Sequence, residues 1–205
     1  MSTLPFYKPP KRVVLTGGPG AGKTAVLEMA RRELCRHVEV LPEAAAIVFG
    51  GGFPRRSGEI EQRAVQRAIF WIQNELESLA HANDALATVL CDRGTIDGLA
   101  YWPGHRSDFF AELRTSMYEE LRRYDEVIHL RVPPDPTAYR GTTIRRETHE
   151  EALAIDARLL EAWAEHPRRI VIDGTQHFME KASAALEAIR SVSAEHVCDE
   201  AAALV

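Results

Sequence analysis

The sequence feature that most constrains the fold is the segment Gly17–Thr24, which reads Gly-Gly-Pro-Gly-Ala-Gly-Lys-Thr. It fits the pattern GxxxxGK[ST], whose glycines let the backbone curl until successive N–H groups converge on a phosphate. The pattern has this meaning only between a strand and a helix. Here the apolar run Val13–Leu15 precedes it and a helical pattern begins at Thr24. The segment therefore predicts a phosphate-binding loop in an α/β fold.

Two residues at the end of this loop have specific predicted roles. Lys23 is expected to reach the β- and γ-phosphates of a nucleotide, and the Thr24 hydroxyl to ligate Mg²⁺. The N-terminus of the following helix adds partial positive charge at the same point. The predicted phosphate contacts are Gly17, Gly18, Pro19, Gly20, Ala21, Gly22, Lys23 and Thr24.

The rest of the chain alternates short apolar runs with longer helical patterns. The predicted strands are 13–15, 38–41, 87–91, 127–132 and 170–172, and the predicted helices are about 24–35, 60–82, 109–123, 149–165 and 178–192. Such alternation predicts βαβ units and a doubly wound, five-stranded parallel sheet. In the helix 60–82, apolar residues recur every four positions from Ile60 to Ala80, which predicts a buried stripe, and Trp71 is expected to be a core residue.

The length of 205 residues is typical of one domain. We expect an N-terminal extension (1–11), a single kinase-sized domain (12–192) and a C-terminal tail (193–205). No stretch approaches 18 consecutive apolar residues, so no transmembrane helix is predicted. The first residues lack the apolar run of a signal peptide, and the three cysteines form no CxxC pair, which favours free thiols and a cytoplasmic location.

The charge distribution argues against a nucleic-acid polymer as a partner but not against small phosphates. The formal net charge of -5 is the opposite of what a dedicated nucleic-acid binder shows, so no nucleic-acid polymer is expected to bind. Residues 147–205 contain 5 basic and 12 acidic side chains, a net of -7, which leaves +2 for residues 1–146. The positive part includes the glycine-rich loop, where small phosphates remain plausible ligands.

Two carboxylates are predicted to lie beside the loop. Asp92 ends the third strand, and Glu43 follows the second strand, so both are expected at the edge of the sheet where ligands bind. One carboxylate would hold Mg²⁺, with Asp92 the metal candidate beside Thr24, and the other would accept a proton from an attacking hydroxyl. The sequence leaves open which of the two is the base.

The segment 131–146 is predicted to be a basic lid. It contains four arginines against one aspartate, and its prolines and Gly141 are typical of a loop. Closure of such a loop would exclude water and stabilise charge on a transferring phosphoryl group. Arg145 and Arg146 are the catalytic candidates and Arg140 a nucleotide-binding candidate; a solvated basic loop is the alternative.

Several segments together resemble a known family. They are Val13–Thr24 and the runs Pro42-Glu43-Ala44-Ala45, Asp92-Arg93-Gly94 and Asp97-Gly98-Leu99-Ala100-Tyr101. They resemble the small AAA-domain family of P-loop kinase-like proteins, which includes the ribosylnicotinamide kinase domain of NAD-salvage proteins and related nucleotide-binding proteins. The similarity extends from about Lys11 to about Val192. Where many members have arginine after the Glu-Ala-Ala step, this chain has Ala46, which leaves the acceptor's identity open.

The resemblance implies a P-loop NTPase fold of the nucleoside- and nucleotide-kinase type, Mg²⁺ as cofactor, and ATP or GTP as substrate. It also implies Asp92 as the metal or base carboxylate and Arg145 or Arg146 in the lid. The leading interpretation is a kinase that transfers the γ-phosphoryl group to a small hydroxyl-bearing metabolite such as a nucleoside. The alternative is a nucleotide-dependent switch module that recognises a protein or an anionic lipid, or a stand-alone NTPase.

Overall fold

A computed structural model describes residues 9–136, 147–175 and 177–193 of the chain. In these residues five strands form one sheet: β1 (Lys11–Thr16), β2 (Val38–Leu41), β3 (Thr88–Asp92), β4 (Glu126–Leu130) and β5 (Arg169–Ile172). Every neighbouring pair is parallel, and the strand order is β2-β3-β1-β4-β5. The predicted doubly wound parallel sheet is confirmed.

Helices cover both faces of the sheet. They are α1 (Lys23–Glu33), α2 (Ala44–Gly50), α3 (Glu59–His81), a 3-10 helix (Thr95–Tyr101), α4 (Arg106–Leu113), α5 (Met117–Leu121), α6 (His149–Ala162) and α7 (Phe178–Ser193). Val13 and Leu15 of β1 pack with α1 and α7, whereas Val14 faces the opposite core with α3 and the 3-10 helix. Burial of both faces explains why the central strands β1, β3 and β4 are largely continuous apolar runs rather than alternating ones.

The region predicted as one helix over 109–123 contains two short helices. Arg114 adopts a left-handed conformation, with φ 55°, and ends α4. The Ser116 hydroxyl then accepts a hydrogen bond from the Glu119 N–H at 3.2 Å and begins α5. Local side-chain capping therefore interrupts an apolar pattern that would otherwise continue as a helix.

The predicted stripe of α3 matches the buried face only in part: Ala80 is buried and Leu76 packs against the core. Ile60 is 79% exposed and Trp71 is 53% exposed, so both predictions of burial were wrong. The face that is buried contains Gln66, Gln73 and Glu77. Glu77 accepts hydrogen bonds from the Gln73 amide at 2.9 Å and the Tyr124 hydroxyl at 2.7 Å. Burial of Gln73 and Glu77 is tolerated because they bond to each other and Glu77 also to Tyr124.

Two further expectations can be compared with the structure. No helix in the described ranges is long and apolar enough to cross a bilayer. Cys91 is a buried free thiol, as predicted. Cys35 is disulfide-bonded, so the expectation of free thiols was wrong there.

Candidate active site

The glycine-rich loop turns from the end of β1 into α1 through positive φ angles that favour glycine. Gly17, Gly20 and Gly22 have φ angles of 135°, 81° and 98°. A Cβ atom on Gly17 would lie 2.1 Å from the Leu130 carbonyl oxygen, and one on Gly22 would lie 2.9 Å from the Phe178 ring. The loop is therefore closely enclosed by β4 and α7, and no larger residue fits at these two positions.

Lys23 is buried at the start of α1 and bonded to the loop itself. Its ammonium donates to the carbonyl oxygens of Gly17 at 2.8 Å and Gly18 at 3.2 Å. Burial, assisted by the positive charge of Arg93, lowers the pKa of Lys23 to about 7. A phosphate in the loop would supply the negative charge that favours the protonated amine.

Asp92 and Glu43 face the same cavity as Lys23, in the positions that the sequence predicted. Burial raises the pKa of Asp92, and its Oδ1 atom is buried with no hydrogen-bond partner among the described residues. Burial alone would raise the pKa of Glu43, but the nearby Arg93 guanidinium outweighs it and lowers that pKa. The two carboxylates therefore lie in different electrostatic environments.

Arg93 joins the strand ends around the loop. It has a φ of 77°, a conformation rare for residues other than glycine. Its Nε donates to Glu43 at 2.8 Å, and its Nη1 lies 3.4 Å from the Gly17 carbonyl oxygen and 3.3 Å from Asp97 Oδ2. Backbone strain of this kind persists where surrounding contacts fix the residue. The guanidinium therefore holds the Glu43 carboxylate in place.

Asp97, in the 3-10 helix, accepts a hydrogen bond from Arg93. Besides Arg93 it accepts hydrogen bonds from the Thr16 hydroxyl at 2.8 Å and the Trp163 indole N–H at 2.7 Å. It therefore connects the end of β1 with the end of α6. Only the resemblance drew attention to this residue, through the run Asp97–Tyr101, because its partners are distant in sequence.

Asp156 of α6 fixes the other side of the loop. Its carboxylate accepts hydrogen bonds from the Gly18 N–H at 2.9 Å, His129 Nε2 at 2.9 Å and Arg131 Nε at 2.6 Å. Burial alone would raise its pKa, but these hydrogen bonds and the neighbouring His129 lower the pKa to about 2. Sequence reasoning missed Asp156, since 138 residues separate it from Gly18.

We expect Asp156→Asn to destabilise the protein. Because the folded pKa is about 2 instead of 3.8, the ionised carboxylate stabilises the fold above pH 4, and this contribution is lost as the pH falls to about 2. At pH 7 the expected loss of unfolding free energy is about 2 kcal/mol. Urea denaturation at a series of pH values measures it, with the exposed Glu187→Gln as control. A difference from wild type that does not shrink below pH 4 would contradict the assignment.

A cavity of about 430 Å³ extends from the loop between α2, α3 and the 3-10 helix. Its wall contains the catalytic candidates together with aromatic rings and amides. Ala46, at the position where the resembling family often has arginine, is also in its wall. The lining residues are Pro19, Gly20, Lys23, Thr24, Glu43, Ala44, Ala45, Ala46, Phe49, Arg55, Gln66, Ile69, Phe70, Gln73, Asp92, Arg93, Gly94, Thr95, Asp97, Gly98, Tyr101 and Glu147.

The predicted lid lies mostly outside the described residues. Arg140, Arg145 and Arg146 belong to the segment 137–146, which the structure does not describe, so their roles stay predictions. Arg131, from the same basic stretch, is bonded to Asp156 and is part of the loop's support.

The chemistry of the donors fits Mg²⁺. The described residues contain no group of three or more His, Cys, Asp or Glu side chains able to hold a metal ion by themselves. The free Asp92 oxygen and the Thr24 hydroxyl face one cavity, and Mg²⁺ in nucleotide sites commonly takes one or two protein oxygens with phosphates and waters completing its shell.

A glycine-rich loop between β1 and α1, with carboxylates at the neighbouring strand ends of this sheet, defines a P-loop protein with a kinase-like fold. Residues 12–181 match the model of the family described as AAA domain, and the chain belongs to this family, as the resemblance predicted. No curated protein shows significant sequence similarity to the chain.

Solved structures share the fold. A NadR protein in complex with NAD and AMP-PNP has a TM-score of 0.64 at 17% identity over 92% of this chain, and a NadR protein in complex with NR has 0.66 at 18% over 90%. This chain spans about half of those chains, 51% and 52%. Deoxyadenosine kinase from M. mycoides has 0.58 at 13% identity, over 88% of this chain and 99% of its own.

Proposed function

We propose that this protein is a kinase that transfers the γ-phosphoryl group of ATP or GTP to a hydroxyl group of a small metabolite such as a nucleoside. The observation that carries the proposal is the cavity of about 430 Å³ between the loop, α2, α3 and the 3-10 helix. Pockets of this size accommodate small-molecule ligands. Its wall contains Lys23, Asp92 and Glu43, the groups needed for phosphoryl transfer.

The proposed reaction forms a bond between the acceptor oxygen and the γ-phosphorus while the bond from that phosphorus to the β–γ bridging oxygen breaks. Lys23 and the loop N–H groups bind the phosphates and stabilise the developing charge. Glu43, kept ionised by Arg93, accepts the acceptor's proton. Thr24 and Asp92 would hold Mg²⁺, which neutralises phosphate charge when bound. The nucleoside diphosphate is the leaving group.

The wall of the cavity supports a small organic acceptor. Phe49 and Phe70 provide ring surfaces, and Gln66 provides a hydrogen-bonding amide, whereas the Gln73 amide N–H donates to Glu77. Such mixed walls suit a flat ring with polar edges. The similarity in fold to a deoxyadenosine kinase and to a NadR protein in complex with NR is consistent with this class of acceptor.

The test is a screen of nucleosides and ribosylnicotinamide with Mg·ATP and with Mg·GTP, with phosphorylated products detected by mass spectrometry. We expect at least one acceptor to be phosphorylated at a rate far above phosphate release without acceptor. Tight nucleotide binding with no phosphorylated product would contradict the proposal. Steady phosphate release that no acceptor changes would identify an NTPase instead.

We also propose the partners and the location of the protein. The partners are a nucleoside triphosphate and one small acceptor, with no nucleic-acid polymer, because the net charge is -5. The cytoplasm is the proposed location.

A further inference from the structure

One cation in the cavity wall is not used by the proposed reaction. Arg55 is an exposed residue in the connection between α2 and α3, and it lines the cavity together with Phe49. Its guanidinium carbon is 3.7 Å from the centroid of the Phe49 ring. Stacking on an aromatic face fixes the plane of a guanidinium and leaves its N–H groups available at the edges.

The other two cations of the cavity have partners. Lys23 donates to carbonyl oxygens of the loop, and Arg93 is bonded to Glu43 and Asp97. Arg55 has no carboxylate within 4.0 Å in the ranges 9–136, 147–175 and 177–193. Its charge nevertheless acts on the site, since it contributes to lowering the pKa of Glu43. The Arg55 guanidinium is therefore a positive group in the cavity wall with no ion-pair partner within 4.0 Å among the described residues, although the carboxylates of Glu43 and Glu147 line the same cavity.

We propose that Arg55, stacked on Phe49, is the binding subsite for an anionic group on the acceptor, a carboxylate borne on its ring. This inference rests on the proposed kinase function and specifies its substrate: a hydroxyl-bearing ring compound whose negative charge lies away from the reacting hydroxyl. A guanidinium binds a carboxylate through two parallel N–H···O hydrogen bonds, which select both charge and plane. Ala46, in the same wall, offers no competing cation.

The experiment compares pairs of acceptors in which one member has a ring carboxylate and the other does not. Suitable pairs are uridine with its ring carboxylate orotidine, and ribosylnicotinamide with the corresponding nicotinate riboside. Affinity is measured by calorimetry with a non-hydrolysable ATP analogue and Mg²⁺, and kcat/KM is measured with Mg·ATP. In wild type we expect the carboxylate member of a pair to be preferred by about tenfold or more, the size of one charge-assisted hydrogen-bond pair.

Three variants locate the preference. Arg55→Gln is expected to remove it, Arg55→Lys to retain part of it, and Arg56→Gln, the neighbouring arginine outside the cavity wall, to leave it unchanged. The inference is overturned if neither carboxylate binds better than its neutral partner, or if Arg55→Gln weakens both members equally. Binding that depends on Arg55 without phosphoryl transfer would support the subsite and refute the kinase. Phosphoryl transfer with a charge preference that Arg55→Gln does not change would support the kinase and refute the subsite.

Discussion

Lys23→Met is expected to reduce phosphoryl transfer by at least ~10²–10³-fold, the loss typical for one preorganised donor at a site of developing charge. The same change should stabilise the nucleotide-free protein. The folded pKa of Lys23 is about 7 and its ordinary value is 10.5, so the folded state binds fewer protons than the unfolded state between these values. Stability therefore rises with pH across this window, and at pH 7 a buried ammonium is costly.

Thermal unfolding at pH 7 measures the second effect. The melting temperature of nucleotide-free Lys23→Met should exceed that of wild type by several °C, since each kcal/mol is worth about 2–4 °C for a domain of this size. Wild type should also take up close to one proton per nucleotide bound at pH 8. The pKa of Lys23 is about 7 in the nucleotide-free protein, so its amine is mostly neutral at pH 8, and a bound phosphate favours its protonation. Calorimetry in buffers of different ionisation enthalpy detects this uptake.

Lys181→Met is the matched control. Lys181 is also a buried amine, and burial lowers its pKa to about 8, but it lies in α7 outside the cavity wall. We expect this variant to keep turnover within several-fold of wild type and to bind nucleotide with the wild-type proton uptake. If Lys181→Met and Lys23→Met reduced turnover equally, the specific role of Lys23 in phosphate binding would be refuted.

Asp92→Asn and Glu43→Gln are expected to have the next largest effects, and for different reasons. Asp92 has a buried carboxylate oxygen without a described partner, so its loss should raise the Mg²⁺ concentration needed for half-maximal rate. Glu43 is bonded to Arg93 and faces the acceptor cavity. Its replacement should lower kcat by ~10²–10⁴-fold, the usual contribution of a general base, with an unchanged Mg²⁺ requirement.

Mg²⁺ titrations of the turnover rate distinguish the two carboxylates. Asp84→Asn, an exposed aspartate remote from the cavity lining, serves as control and should match wild type in both rate and Mg²⁺ requirement. A shifted Mg²⁺ requirement in Glu43→Gln, with none in Asp92→Asn, would exchange the two assignments.

The parts of the site that lie in one continuous segment could be predicted from sequence. The loop Gly17–Thr24 is such a segment, because three of its glycines adopt positive φ angles and the flanking strand and helix have clear patterns. The positions of Asp92 and Glu43 were predictable for a different reason, since each follows a strand and parallel strands end at one edge of the sheet. The domain boundaries remain a prediction.

Contacts between distant segments could not be predicted. The sequence pattern around Asp156 indicates an ordinary polar residue of an amphipathic helix. Only the fold brings its carboxylate to the Gly18 N–H. The prediction of the buried face of α3 failed in part for a related reason. Apolar periodicity assumes that polar residues face water, whereas Gln73 and Glu77 are paired inside the protein. Tertiary partners thus reversed what the local pattern favoured.

The enclosure of the loop also bears on how the site is made during protein synthesis. The loop is translated before the residue that supports it, since Asp156 in α6, which accepts a hydrogen bond from the Gly18 N–H, lies 138 residues after Gly18. A nascent chain on the ribosome acquires this support only after those residues have been translated. We expect a fully shaped phosphate site to arise late, so nucleotide cannot stabilise the early intermediates of folding.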